Sequence, residues 1–180
     1  MMLLKDLLYR VNMERVQGDR GLAIESVAFD SRKVARDGLF VAVRGTQVDG
    51  HQFVLNAIDS GAKAVVLEEW MDGLPANITQ IQVDNSAQAL GVIASNFYGT
   101  PSEKMQVVAV TGTNGKTTVA SLLHELALAL DRKAGLLSTV INRIGKEEAP
   151  ATHTTPDPLQ IHALLAQMRD KGCKYVFMEA

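Results

Sequence analysis

From Val107 to Val110 the chain is unbroken apolar sequence, passes through the glycine-bearing turn TGTNG, and enters a stretch where Val119, Leu122, Leu123, Leu126 and Leu130 recur at helical spacing. A valine-rich run of this kind predicts a strand buried on both faces, and the three-and-four recurrence predicts a helix after the turn. Upstream, Leu22 to Phe29 and Leu39 to Val43 read as strands around the polar segment DSRKVARDG, whose Asp37-Gly38 is a turn signal. His51 to Ser60 carries a helical pattern through Phe53, Ala57 and Ile58 and stops at Gly61. Ala64 to Leu67 and Ile78 to Val83 then read as strands, and Ser86 to Tyr98 as a helix ending at Gly99. Beyond the glycine-bearing turn and its helix come a strand at Gly135 to Thr139, a polar loop through Pro150, a helix with a stripe of Ile161, Leu164, Leu165 and Met168, and a last strand at Lys174 to Met178.

Strands alternating with helices predict an α/β fold with a parallel sheet in the second half. The Gly-Thr-Pro-Ser run at 99–102 is the best boundary. It separates a small mixed α/β N-terminal domain (1–102) from the start of a parallel-sheet, phosphate-loop domain (103–180). Such a sheet normally needs more strands than the three counted after Glu103, so the expectation is an N-terminal fragment with a truncated central domain. The start, MMLLKDLLYRVNMERV, reads as a short amphipathic segment carrying acids rather than a signal peptide.

The turn carries the chemistry. Gly112 and Gly115 let backbone N–H groups converge on an anion, with Thr113 and Asn114 between them; Lys116 supplies a mobile positive charge, and Thr117, followed by Thr118, offers a hydroxyl to a magnesium ion beside the phosphates. The match is to the short form GxxGKT, because Val110 stands where the longer motif requires glycine. A nucleoside triphosphate is the implied ligand. The bland alternative is a glycine-rich turn between two core elements.

Two further segments have double readings. Thr155 suits an N-cap, Pro156 the first helical position and Asp157 the first turn, so Thr154-Thr155-Pro156-Asp157 reads first as a well-made cap. Glu179 falls at the C-terminal edge of a parallel sheet, where ligands of open α/β folds bind. It reads equally as a magnesium ligand or as a solvated strand end.

Composition narrows the class. The chain has 180 residues, 47% hydrophobic and 21% charged, with a formal net charge of −2, and no feature points to a nucleic-acid partner. No apolar stretch approaches the roughly 20 residues needed to cross a bilayer, so membrane insertion is not expected and a cytoplasmic location is the default. Cys173 is the single cysteine, which excludes an intrachain disulfide, and its place beside the apolar run 175–178 suggests a packed, inert thiol.

Several segments together resemble a known family. FDSRKVARDGLFVAVRGTQVDGHQFVLNAIDSGAKAVV and VAVTGTNGKTT are similar to the ATP-dependent Mur ligases, which add amino acids to the peptidoglycan precursor, and THTTPDPLQIH is similar to their MurE-type branch. The resemblance spans nearly the whole chain. It implies that Phe29, Ser31, Thr46, Gln47 and Val48 hold the UDP-N-acetylmuramoyl end of the substrate, making the first domain a uridine-nucleotide module. It implies that residues 112–118 bind ATP with Lys116 catalytic, that Thr117 and Glu179 position Mg2+, and that His153, Thr154 and Thr155 contact the muramoyl-dipeptide. His153 departs from members that carry asparagine there. His51, His124 and His162 match no motif and read as surface or packed residues.

By the same resemblance, the γ-phosphoryl group of ATP passes to the substrate's D-glutamyl γ-carboxylate, and the resulting acyl phosphate is attacked by the amino group of a free diamino acid to give an amide. The favoured diamino acid is meso-2,6-diaminopimelate, with L-lysine the runner-up. The full-length protein is expected as a monomer, with a third domain for the amino acid. The fragment is expected to bind the uridine nucleotide without forming product. Rival classes are a phosphate-loop kinase or switch and a non-catalytic nucleotide-binding module; the absence of an Asn-Lys-x-Asp signature weighs against a GTPase.

Overall fold

A computed structural model describes residues 1–45, 48–150 and 157–180, with the side chains of 149 and 150 excepted. The chain divides into two compact units, Met1–Phe97 and Tyr98–Ala180.

The first unit contains β1 (Met2–Leu3), α1 (Leu4–Leu7), β2 (Met13–Gln17), β3 (Ala23–Ile24), β4 (Ser26–Ala28), β5 (Gly38–Val41), α2 (Val54–Asp59), β6 (Ala62–Leu67), β7 (Thr79–Val83) and α3 (Ser86–Phe97). Its five-stranded sheet runs β2-β7-β6-β5-β4; β4 to β7 are parallel and β2 closes one edge antiparallel to β7. The run expected at 22–29 is two short strands, because β3 pairs with β1 while β4 joins the main sheet. The amphipathic start is likewise resolved into β1, α1 and β2. Phe40, Val65 and Leu67 are fully buried against Val54 and Ala57 of α2, which explains the apolar character of β5 and β6. Removing one such side chain from water contributes about 1.5–3 kcal/mol. The buried Asn96 amide donates to the carbonyls of Leu7 (2.8 Å) and Tyr9 (2.7 Å), satisfying backbone acceptors at the end of α1.

The second unit contains β8 (Gln106–Val110), α4 (Lys116–Ala129), β9 (Ala134–Leu137), β10 (Ile141–Ile144), β11 (Glu147–Pro150), α5 (Pro158–Asp170) and β12 (Tyr175–Glu179). Its sheet order is β11-β10-β9-β12-β8. The strands β9, β12 and β8 are parallel, as expected, but β10 and β11 are antiparallel, so the sheet is mixed. The segment read as a polar loop through Pro150 is this hairpin. Its two-residue turn begins with Gly145 at φ 63°, a backbone region glycine enters without Cβ strain.

Two further expectations are corrected. Among the described residues β8 is not covered on both faces, Val108 being 40% exposed. On α4 the fully buried side chains among those facing the sheet are Ala120 and His124, with Ala127 nearly so, while Leu122, Leu126 and Leu130 lie on the exposed side. The helical period holds, but of the leucines in the stripe Leu123 packs against the sheet, beside Ala120 and Ala127. The α5 stripe does pack inward. Leu165 and Met168 are buried and Ile161 and Leu164 lie against the same core as Cys173 and Val176. Here helix and sheet approach closely, since a Cβ on Gly135 would overlap the Met168 thioether. Cys173 is buried, and desolvation pushes its thiol up from its ordinary value, which keeps it unreactive.

Candidate functional site

The end of β8 delivers the chain into the glycine turn, and Gly115 (φ 79°) is the N-cap of α4. Gly112 is also in the positive-φ region at 147°, and an added Cβ at Gly115 would meet open space, so glycine is required here by backbone conformation rather than by crowding. No side chain caps α4, leaving its first N–H groups available to an anion. Lys116 Nζ donates to the Gly112 carbonyl at 2.7 Å, folding its ammonium back over the turn.

Glu179 lies at the end of β12, in register with Val110 at the end of β8. The loop and the carboxylate therefore share the C-terminal end of the parallel strands of one sheet. Both carboxylate oxygens are held: Oε1 accepts from the Thr139 N–H at 3.0 Å and Oε2 from the Thr139 hydroxyl at 3.3 Å. Thr139 lies just beyond β9, where the sequence pattern marks only a strand end. Its pairing with Glu179 spans 40 positions, so no local motif could have exposed it.

By chemistry, a hydroxyl such as that of Thr117 and a carboxylate oriented as Glu179 is are oxygen donors of the kind a hard cation takes. Among the described residues no group of three or more His, Cys, Asp or Glu could hold a metal by itself.

In the first unit, Phe29, Ser31 and Val48 line one cavity of about 720 Å³ with Asp30, Arg32, Val43, Gly45, Gly50, Phe53 and Asn56. Asp30 shapes one wall, since its carboxylate caps the turn Ser31–Lys33 through the Arg32 N–H at 3.0 Å and also pairs with the Arg32 guanidinium. That side-chain hydrogen bond holds the Asp30 carboxyl below its ordinary value. Arg32, Phe53 and Asn56 carry no sequence signal for this cavity, because the turn after β4 and the helical segment 50–59 meet only in three dimensions. Thr46 and Gln47, and His153, Thr154 and Thr155, lie outside the described residues.

The cap of α5 is corrected: Asp157, not Thr155, is the N-cap and accepts from the Gln160 N–H at 2.9 Å, with Pro158 rather than Pro156 in the first turn. Two prolines two residues apart make the alternatives nearly degenerate in sequence. His124, on α4, is fully buried, and neither of its ring nitrogens has a hydrogen-bond partner. No described helix is long and apolar enough to cross a membrane.

A glycine loop feeding a helix at the edge of a parallel sheet, with an acid on the neighbouring strand, defines the phosphate-loop class of α/β nucleotide-binding domains. Comparison with known proteins specifies it further. Residues 23–98 match the model described as "Mur ligase family, catalytic domain" and residues 110–180 the "Mur ligase middle domain". The chain belongs to the Mur ligase family.

Relatives named UDP-N-acetylmuramoyl-L-alanyl-D-glutamate--2,6-diaminopimelate ligase include that of Cytophaga hutchinsonii, 50% identical over 99% of this chain, and that of Parabacteroides distasonis, 48% identical over 98%. The chain spans 37% and 36% of the lengths of these two relatives. A solved structure carrying the same enzyme name superposes with a TM-score of 0.77 at 22% identity, over 99% of this chain and 36% of its own. A MurF ligase from Thermotoga maritima in complex with ADP superposes with a TM-score of 0.52 at 22% identity, over 86% of this chain and 31% of its own. At these identities the structural likeness establishes the fold.

Proposed function

We propose that this chain is the uridine-nucleotide module and the first part of the ATP-binding module of a cytoplasmic ligase of cell-wall synthesis. The whole enzyme joins meso-2,6-diaminopimelate to UDP-N-acetylmuramoyl-L-alanyl-D-glutamate. The observation that carries this reading is the near-complete span of 48–50% identity to ligases bearing that name. The domain assignment, 1–102 for the uridine nucleotide and 103–180 for ATP, and the monomeric state of the whole enzyme belong to the same proposal.

Each residue then has a physical task. The loop from Gly112 to Thr118 directs main-chain N–H groups toward the β- and γ-phosphates, and Lys116 exchanges its contact with the Gly112 carbonyl for phosphate oxygens. ATP supplies the γ-phosphoryl group that turns the D-glutamyl γ-carboxylate into an acyl phosphate, with ADP as the leaving group, and a bound Mg2+ would supply charge neutralisation for the phosphates. Thr117 and Glu179 are the groups that would hold this ion, with Thr139 fixing the carboxylate. A carboxylate is a poor electrophile and repels the triphosphate, so the protein's contribution is alignment and charge compensation rather than a covalent nucleophile. Phe29, Ser31 and Val48 suit the uridine-nucleotide end through their common cavity, with Thr46 and Gln47 as neighbours in sequence. His153, Thr154 and Thr155 are proposed contacts of the muramoyl-dipeptide.

The test is ADP release by the full-length enzyme. It should require both UDP-N-acetylmuramoyl-L-alanyl-D-glutamate and meso-2,6-diaminopimelate, with L-lysine a poor replacement. Turnover with L-lysine alone would reassign the amino acid, and hydrolysis indifferent to both co-substrates would overturn the ligase reading.

A further inference from the structure

A polar network lies behind the cavity wall formed by Val43, Gly45, Val48 and Gly50. His51 is at its centre, with a side chain only 11% exposed. Its Nδ1 lies 2.6 Å from Asp49 Oδ1, and its Nε2 accepts the Glu68 backbone N–H at 2.8 Å. A ring nitrogen accepting from an amide carries no proton, so the one facing the carboxylate does: His51 is the neutral Nδ1–H tautomer.

Glu68, just past β6, continues the chain of contacts. Its Oε1 accepts from the Ser86 N–H (2.8 Å) and hydroxyl (2.6 Å) at the start of α3, and the Ser86 oxygen accepts from the Arg44 N–H at 3.2 Å. The Arg44 guanidinium donates to Glu69 at 2.6 Å and lies 3.6 Å from Asp49 and 3.7 Å from Glu68. Arg44 and Asp49 also pair as an antiparallel bridge, closing the base of the segment that carries Gly45 and Val48 to the cavity. Burial opposes ionisation of Glu68, but the Ser86 donors and Arg44 outweigh it and leave its carboxyl below the usual value. Asp49 is held low by the His51 N–H and ring.

Loops that present binding groups have few apolar contacts of their own and depend on such anchors for a defined position. We propose that His51, acting through Glu68 and Ser86, is a positioning residue for the uridine-nucleotide substrate: it locks the Val43–Gly45 and Val48–Gly50 backbone against β6 and α3 without touching the ligand. The inference rests on the reading of this cavity as the uridine-nucleotide site. His51 lies outside every recognisable motif because its partners stand 2, 17 and, through Glu68, 35 positions away: from 49 to 51, 51 to 68 and 51 to 86.

The experiment compares wild-type, H51F, H51Q and S86A full-length enzyme by steady-state ADP release. Loss of one or two partly buried hydrogen bonds in H51F should raise the KM for UDP-N-acetylmuramoyl-L-alanyl-D-glutamate by about tenfold, with kcat and the KM for ATP changed by less than about twofold. Glutamine can donate to Asp49 and accept from Glu68, so H51Q should recover most of the affinity. S86A removes only a hydroxyl and should shift the same KM in the same direction, which decides the matter if H51F does not fold. An unchanged substrate KM in S86A and in any folded H51F, or equal losses in all three parameters, would overturn the proposal. Failure of wild-type enzyme to require the uridine substrate would instead overturn the functional reading beneath it.

Discussion

Replacing Thr139 by valine tests whether Glu179 is oriented for a metal. The change preserves the branched shape of the side chain and removes the hydroxyl that donates to Glu179 Oε2 at 3.3 Å; the Thr139 backbone N–H still donates to Oε1 at 3.0 Å. The lost bond is long for a hydroxyl on a carboxylate and lies in an exposed setting, which places its worth near the lower end for a charge-assisted hydrogen bond, about 1 kcal/mol. If Glu179 holds Mg2+, that loss of orientation should raise the Mg2+ concentration for half-maximal ADP release about fivefold. Titration of full-length wild-type, T139V and T139S enzyme with Mg2+ at saturating co-substrates reads this directly. T139S should return to the wild-type curve. A T139V curve that overlays wild type, or a defect that serine does not repair, would refute the orientation argument.

Three further outcomes concern the fold of this chain. M168A should lower unfolding free energy by about 2–5 kcal/mol in a denaturant titration, since this fully buried side chain joins α5 to β9 where Gly135 leaves room for it. D157A should destabilise by about 1 kcal/mol in the same assay through loss of the Gln160 cap, whereas a cap at Thr155 would leave D157A near neutral. His124 is held neutral chiefly by desolvation, so its folded pKa lies below the ordinary 6.5 and the unfolded chain binds the proton more readily. Its contribution is complete above pH 6.5 and declines as pH falls from there toward the depressed folded value; H124L should flatten that part of the stability–pH curve, leaving the slope from His162, which burial also lowers.

The C-terminal edge of the second sheet accounts for the economy of the site. Parallel strands end on the same side, so the glycine loop after β8, Glu179 ending β12 and Thr139 beyond β9 converge although they come from separate parts of the chain. The first unit uses the corresponding end of its own parallel strands: segments after β4 and β5 supply Phe29, Ser31 and Val48 to one cavity, and residues after β6 brace the wall behind it.

By itself the order of residues determined what depends on neighbours along the chain: the strand–turn–helix around residues 106–129, the period of the longer helices and the turn glycines. Those signals arise from backbone preferences and short spacings, which a linear pattern carries intact. Only the tertiary structure decided which side chains of α4 are covered, that residues 141–150 form an antiparallel hairpin, and that Asp157 rather than Thr155 caps α5. It also decided the partners of His51 and Glu179, because a hydrogen bond between residues 17 or 40 positions apart depends on how strands are ordered in a sheet, and strand order is selected by packing across the whole layer rather than by any local run.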